Sequence, residues 1–205
     1  AVFVADVKST GIYASDPDLK KYGATTDYWK TGHSHMKRRV NELGALAGFE
    51  KSGHYFLAEP IGRGYDCGMR VAVELCKLMD RNPDMSMSDL RRALPVTYSS
   101  PTMSPYCADT EKYKVLERIV AKLETLAENG ASLGGQKITG IVTVNGARVM
   151  LENGGWGLVR ASSNTPNLVV VCESPESDAE LRSIFSDLDA VIRTEELVGD
   201  YDQTL

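Results

Sequence analysis

The strongest constraint on the fold of this chain is a change in its hydrophobic periodicity near Gly134-Gly135. Before this point, short apolar strands alternate with helical patterns, which is typical of an α/β sheet with parallel or mixed strands. After it, apolar residues recur at every second position, which favours an antiparallel sheet covered on one face by helices. We therefore expect an α/β domain with a mixed sheet, followed by a smaller α+β domain with a four-stranded antiparallel sheet and helices on one face.

Prolines mark the expected boundary between the two domains. Pro95, Pro101 and Pro105 lie among serines and threonines, a composition typical of a linker. We predict domains over residues 1–94 and 110–205, joined by a linker over 95–109. In the first domain, strands are predicted at 2–7, 25–29, 46–49 and 54–57, with helices over 34–43 and 69–79.

The clearest element of the second domain is a hairpin. Asn145-Gly146 separates two alternating segments and predicts a two-residue type I′ turn, since both residues tolerate positive φ angles. Thr110 is expected to cap a long helix, and Ser174-Pro175 to open the last one. The strands of this domain are predicted at 138–144, 147–151, 157–161 and 168–172.

Composition excludes several classes of partner. The net charge is −5, so nonspecific binding to nucleic-acid phosphates is disfavoured. No apolar stretch approaches the roughly 18–20 residues of a membrane helix, so no membrane partner is expected. The four cysteines form no CxxC pattern, which indicates reduced thiols and a cytoplasmic protein.

Three polar segments carry the functional signal. Lys30–Ser34 contains Gly32-His33, and Phe49–His54 contains a carboxylate, three other hydrogen-bonding side chains and a glycine. Arg160–Pro166 combines a guanidinium with hydroxyls and loop amides, which suits a phosphate group. Together these segments predict a site for a phosphorylated polyol.

The positions of these residues relative to the strands support the same interpretation. Lys8, His33 and Glu50 fall at or just past predicted strand ends, where ligands bind in α/β sheets. Glu50, Ser52 and His54 alternate, so on an extended segment their side chains would point the same way. His54 can accept or donate a proton near neutral pH.

These motifs also carry a family resemblance. Asp6-Val7-Lys8, Lys30–Ser34, Phe49–His54 and Arg160–Pro166 stand in the same order as the motifs of the bacterial phosphomannomutase/phosphoglucomutase enzymes of the α-D-phosphohexomutase superfamily. The chain resembles their third and fourth domains over nearly its whole length. The resemblance implies an enzyme that interconverts hexose 1-phosphate and hexose 6-phosphate of mannose or glucose. A phosphoserine transfers the phosphoryl group, and a bisphosphorylated sugar is the intermediate.

The resemblance also implies roles for individual residues. The catalytic residues that it implies are Lys8, His33 and His54. The substrate-binding residues are Thr31, Gly32, Glu50 and Ser52. The phosphate-binding residues are Arg160, Ser162, Ser163, Asn164 and Thr165. The loop reads Ser-Ser-Asn-Thr where the family has Ser-Asn-Thr-Thr, which leaves the side-chain roles at 163–165 open. Lys51 stands where the family usually has Met.

Two family motifs are absent from this sequence. The reactive serine loop and the Asp-rich magnesium loop do not occur, so no metal ligand is expected in this chain. We interpret the chain as a fragment, inactive alone, whose partners are a phosphorylated hexose and the N-terminal domains of the same polypeptide. Magnesium and a glucose 1,6-bisphosphate-type activator are expected only in the full-length enzyme.

Alternatives remain open at this stage. A noncatalytic sugar-phosphate-binding module is one, because no nucleophile is present, and a phosphoglucosamine mutase is another. Gly62–Gly68 lacks the spacing of a dinucleotide-binding loop and is interpreted as a turn. The spacing of His33, His35, His54 and Cys67 fits no zinc site.

Overall fold

Two compact units, residues 1–96 and 97–205, make up the computed structural model, which describes every residue of the chain. The first unit contains an α/β sheet and the second an antiparallel sheet with two long helices. Both sheet types match the prediction from the hydrophobic periodicity. None of the helices combines the length and the apolar character needed to cross a bilayer.

The sheet of the first unit is mixed. Its strands are β1 (Val2–Asp6), β2 (Thr25–Trp29), β3 (Ala47–Phe49), β4 (Tyr55–Leu57) and β5 (Tyr65–Asp66), in the order β2-β1-β3-β4-β5. β1 pairs in parallel with β2 and β3, whereas β4 is antiparallel to both β3 and β5. The carboxyl ends of β1, β2 and β3 therefore meet at one edge of the sheet.

One helix packs against the sheet in the core of this unit. α3 (His33–Leu43) buries Met36 and Val40 against Val4 and Phe56. It ends at Gly44, whose φ of 56° provides a left-handed C-cap. The other helices are α1 (Ile12–Ser15), α2 (Pro17–Lys21), α4 (Gly68–Arg81) and α5 (Met87–Arg92).

Helix α4 ends at Asn82, as the Asn82-Pro83 pair predicts. Its burial differs from what the amphipathic pattern predicts, because α4 has no buried residue. Met69, Val73 and Leu78 are exposed, so this unit leaves the apolar face of α4 uncovered.

The second unit has six strands where the sequence predicted four. In chain order its elements are β6 (Tyr98–Ser99), α6 (Lys112–Glu128), β7 (Ser132–Leu133), β8 (Gln136–Val142), β9 (Ala147–Leu151), β10 (Trp156–Ala161), β11 (Leu168–Ser174) and α7 (Asp178–Ile192). The sheet order is β6-β11-β10-β9-β8-β7, with antiparallel neighbours. The two added edge strands are too short to give a period-two signal, since each has two residues.

The two long helices of this unit share one core with the sheet. Ile119 of α6 and Ile184 of α7 are fully buried in the same apolar cluster as Val149 and Val170. Gly157 faces α7, and a Cβ there would lie 3.1 Å from Leu188. Both helices therefore cover the same face of the sheet, as predicted.

The proline-rich segment predicted as a linker lies instead against the edge of the second sheet. Ser99 pairs with Glu173, and the buried Met103 pairs with Val170. The Cys107 N–H donates to the carbonyl of Pro166 at 2.9 Å. Prolines keep this segment extended, and extended backbone between them can pair with a sheet edge.

Local details of the hairpin and helix starts also differ from the sequence prediction. Residues 143–146 connect β8 and β9, and Gly146, with φ 82°, is the one residue there with positive φ. The connection is therefore not a type I′ turn, which requires two residues with positive φ. Helix α6 starts after Glu111 rather than at Thr110, and the Ser177 hydroxyl caps α7 by accepting from the Glu180 N–H at 3.1 Å.

We expect Gly146→Ala to destabilise the second unit, because a Cβ at Gly146 would lie 2.1 Å from the Val159 carbonyl oxygen. Left-handed strain and this overlap should together cost about 2–4 kcal/mol. The matched control is Gly130→Ala, where φ is 69° and the added Cβ meets nothing within 4 Å. It should cost about 1–2 kcal/mol. Urea unfolding followed by Trp156 fluorescence in a Trp29→Phe background measures both, and equal losses would contradict the account.

Candidate functional site

The loops that follow the parallel strands of the first unit form the candidate site. Lys8 lies half-buried in the turn after β1. Residues 30–32 follow β2, and residues 50–54 connect β3 to β4. Loops at the carboxyl ends of neighbouring parallel strands lie side by side, so the fold brings the three segments together.

A buried carboxylate ties these loops to one another. Asp6 is fully buried at the end of β1. Its Oδ1 accepts from the Ser9 hydroxyl at 2.6 Å and from the Lys51 N–H at 3.3 Å. Its Oδ2 accepts from the Thr31 hydroxyl at 3.1 Å. One side chain therefore binds the turn after β1, the loop after β2 and the loop after β3.

A second carboxylate links two of the same loops. Glu50 is buried, and its Oε1 accepts from the Gly32 N–H at 2.6 Å. Gly32 precedes α3 and has φ 124°, a conformation that favours glycine. Glu50 therefore fixes the peptide at the amino end of α3. It is also the residue that was predicted to bind the sugar.

The loop that carries Glu50, Ser52 and His54 is a turn rather than an extended segment. The Gly53 N–H donates to the Glu50 carbonyl at 2.9 Å, and the Glu50 N–H donates to the His54 carbonyl at 3.0 Å. The prediction that the three side chains alternate on extended backbone is therefore wrong. Glu50 is buried, while Ser52 and His54 are exposed.

His54 is held by a partner that the sequence did not suggest. Its Nδ1 lies 2.7 Å from Oδ2 of Asp66, and Oδ1 of Asp66 accepts from the Tyr55 N–H at 3.2 Å. The hydrogen bond to Asp66 raises the pKa of His54 above its usual value of 6.5, and the same bond lowers the pKa of Asp66. Since Nδ1 is engaged, Nε2 is the ring nitrogen left for proton exchange with a ligand.

The missed residue Asp66 lies in the glycine-rich segment 62–68, which we interpreted only as a turn. It ends β5 and pairs with Phe56 of β4, next to the loop of His54. Two short antiparallel strands thus bring together residues that are 12 positions apart. Neither strand is long enough for its pairing to be read from the sequence.

The remaining predicted residues of this unit lie at the same edge. His33 is the first residue of α3 and is exposed, with its ring edge-on to Phe56 at a centroid distance of 5.0 Å. The residues that the fold brings together here are Lys8, Thr31, Gly32, His33, Glu50, Ser52 and His54. Thr31, Gly32 and Glu50 make the contacts between loops, whereas His33, Ser52 and His54 are exposed.

The predicted phosphate loop lies in the second unit, where residues 162–167 connect β10 to β11. Ser162 is buried, and its Oγ accepts from the Thr165 N–H at 3.2 Å and from the Thr165 hydroxyl at 2.8 Å. The Asn164 N–H lies 3.4 Å from the same oxygen. Ser162 therefore shapes the loop from inside, while Ser163, Asn164 and Thr165 are exposed.

Arg160 lies on β10 at the start of this loop. It is 9% exposed, and its Nη1 donates to the Ala161 carbonyl at 3.2 Å. Lys112 of α6 also contacts this loop. Its Nζ donates to the carbonyl oxygens of Ser162 and Thr165, at 2.7 and 3.0 Å. The sequence analysis missed Lys112, although its place on the helix face of Val115, Leu116 and Ile119 is a signal of burial.

No group of three or more His, Cys, Asp or Glu side chains in residues 1–205 has the arrangement of a metal site. Three carboxylates at this edge are engaged with protein donors: Asp6 and Glu50 with backbone and hydroxyl groups, and Asp66 with His54. These residues do not fit a bound magnesium ion.

Comparison with known families agrees with this geometry. Residues 1–98 match the family described as phosphoglucomutase/phosphomannomutase, alpha/beta/alpha domain III. Residues 107–191 match phosphoglucomutase/phosphomannomutase, C-terminal domain. The chain belongs to the phosphoglucomutase/phosphomannomutase family.

Individual relatives match this chain over nearly its whole length. A phosphomannomutase/phosphoglucomutase of Pseudomonas putida is 34% identical over 184 residues, which cover 90% of this chain and 36% of that protein. The crystal structure of a family protein from Burkholderia thailandensis has a TM-score of 0.78 and 27% identity, covering 99% of this chain and 39% of that one. The chain thus spans little more than a third of the length of these relatives.

A more distant structural neighbour shares the fold. The N-acetylphosphoglucosamine mutase of Aspergillus fumigatus has a TM-score of 0.60 and 12% identity, covering 94% of this chain and 39% of that one, in its complex with GlcNAc-6P and magnesium. Another structure of that protein contains glucose 1,6-bisphosphate.

We expect Asp66→Asn to lower the pKa of His54, because the carboxylate stabilises the imidazolium. In the wild type, the His54–Asp66 pair stabilises the folded protein. This contribution is fully present below about pH 6.5 and is lost as the pH rises through the raised pKa of His54. An NMR titration of the His54 ring should show a midpoint above 6.5 in the wild type and a lower one in Asp66→Asn.

The control for this titration is Asp84→Asn, which removes the same charge at an exposed position. It should leave the midpoint of His54 where it is in the wild type. A wild-type midpoint at or below 6.5, or equal midpoints in the wild type and Asp66→Asn, would show that the pair does not form in solution.

Proposed function

We propose that this chain is the sugar-recognition and phosphate-binding part of a phosphohexomutase. The full-length enzyme interconverts hexose 1-phosphate and hexose 6-phosphate of glucose or mannose. The observation that carries the proposal is the loop assembly of the first unit, in which Asp6 and Glu50 join the loops that contain the predicted ligand residues at one sheet edge. Loops that only connect strands do not need to be joined to one another by buried carboxylates in this way.

The first unit provides groups for sugar hydroxyls and for proton transfer. One oxygen of Glu50 accepts from the Gly32 N–H, and the other would accept from a hydroxyl of the ligand. The Ser52 hydroxyl can donate to or accept from a neighbouring hydroxyl. His54 exchanges a proton through Nε2, while Asp66 holds the ring in place through Nδ1.

The amino end of α3 and two nearby side chains suit a charged group. His33 begins α3, where the helix dipole favours an anion. Lys8 adds a cation at the neighbouring strand end. Together they stabilise negative charge on a phosphoryl group at the carboxyl edge of the sheet.

The second unit provides the site for the nonreacting phosphate. Arg160 offers a planar guanidinium that matches two phosphate oxygens, and the exposed residues 163–165 offer a hydroxyl, an amide and backbone N–H groups. These groups recognise phosphate rather than a particular carbon of the sugar. A mutase needs this property because its substrate presents phosphate at either end.

The resemblance assigns the reactive phosphoserine and the magnesium ligands to the domains that precede these two in the full-length enzyme. Magnesium would there neutralise charge on the transferring phosphoryl group. The residues of this chain bind and orient the sugar, hold the distal phosphate and move a proton at His54. The 205-residue chain alone should therefore show no turnover.

Steady-state turnover of glucose 1-phosphate and mannose 1-phosphate by the full-length protein tests the proposal. Arg160→Ala should weaken substrate binding by about 30- to 150-fold, because a charge-assisted contact to phosphate is lost. Arg160→Lys should recover only part, since an ammonium lacks the two-pronged geometry. Arg182→Ala, at an exposed arginine paired with Asp178, is the control and should be neutral.

Three outcomes would contradict parts of the proposal. Full-length protein that binds hexose phosphate without converting it would indicate a noncatalytic binding module. Turnover confined to glucosamine phosphates would indicate a phosphoglucosamine mutase. If Arg160→Ala binds substrate as tightly as the wild type, residues 160–166 are only a turn between strands.

A further inference from the structure

We infer that Lys112 is a positioning residue for phosphate binding, an inference that rests on the phosphate loop of the proposed function. Lys112 does not reach the exposed side of the loop. It acts through the backbone of residues 162–165. Its positive charge lies on the buried side of this loop, and the anion would bind on the exposed side.

The ammonium group of Lys112 is buried and fully engaged. The residue is 3% exposed, and its Nζ donates to the Ser162 carbonyl at 2.7 Å and the Thr165 carbonyl at 3.0 Å. The third contact is to Oδ1 of Asp109 at 2.6 Å. An ammonium has three donors, so every one of them is used.

The two loop carbonyls that bind Lys112 bracket Ser163 and Asn164, which are exposed. Carbonyl oxygens repel anions, so a phosphate loop must turn them away from its ligand. Lys112 draws these two carbonyls toward the interior. The amides and side chains between them are left on the outer side, where a phosphate can meet them.

The same loop is held from inside by a second group. The Ser162 hydroxyl accepts from Thr165, and the Ser162 N–H donates to the Asn167 carbonyl at 2.9 Å. Lys112 and Ser162 thus fix the loop before any ligand arrives. Preorganisation of this kind raises affinity, because less conformational freedom is lost when the anion binds.

The charge of Lys112 adds to the effect of its hydrogen bonds. A buried cation near an anion site is screened less by water and salt than an exposed one. Asp109 offsets only part of this charge, because its own side chain is 66% exposed to solvent. The inference therefore predicts weaker anion binding when the ammonium is removed, even where the protein stays folded.

Titration of the 205-residue chain with inorganic phosphate tests the inference, with the amide NMR signals of residues 162–165 as the readout. Lys112→Met should weaken phosphate binding on the order of 5- to 30-fold, as expected for loss of one charged, preorganising contact. Lys114→Met removes the same charge from an exposed position on α6 and should leave the affinity unchanged. Urea unfolding of each variant measures stability separately.

Lys112→Gln gives the same comparison if Lys112→Met does not fold, since glutamine keeps a donor without the charge. Phosphate affinity equal to wild type in the folded Lys112 variant, with only the urea midpoint lowered, would overturn the inference and leave a purely structural lysine. If the wild-type chain shows no phosphate-induced shift at 162–165, the phosphate loop itself is wrong and this inference falls with it.

Discussion

The hydrogen bonds of Asp6 are the constraint on which the candidate site of the first unit depends. A buried carboxylate is costly unless donors surround it. Asp6 obtains its donors from the turn after β1, the loop after β2 and the loop after β3. The chain can satisfy this group only when all three loops are in place. The need to satisfy one buried carboxylate therefore sets the arrangement of three loops.

The second unit also buries a charged side chain beside a loop, but this side chain is a cation. Lys112 is buried under the loop of residues 162–165 and takes its acceptors from that loop and from Asp109. In both units a buried charged side chain makes hydrogen bonds to the loops, and other side chains of the same loops are exposed.

The sequence predicts the parts of this molecule that follow from periodicity and chain order. The parallel strands and their carboxyl ends were predictable, and with them the placement of Lys8, His33 and Glu50 at one edge. The two long helices on one face of an antiparallel sheet were also predictable, because Ile119 and Ile184 lie in clear 3.6-residue patterns.

Contacts between residues distant in sequence could not be predicted in the same way. Asp66 reaches His54 through two strands that are too short to carry a pattern. The turn at 50–53 replaced the extended segment that alternation suggested, because Gly53 allows the chain to fold back on Glu50. Local propensity does not contain these tertiary choices, which depend on which polar groups become buried together.

Hydrogen exchange at single amides tests most directly whether Asp6 holds the loops as one assembly. In Asp6→Ala, the exchange rates of the Lys51 and Gly32 amides should both rise on the order of ten-fold or more, although only Lys51 donates to Asp6 itself. The Val170 amide, which donates to the Met103 carbonyl in the second unit, should not change. If the Lys51 rate rises while Gly32 keeps its wild-type rate, the loops are held independently and the account is wrong.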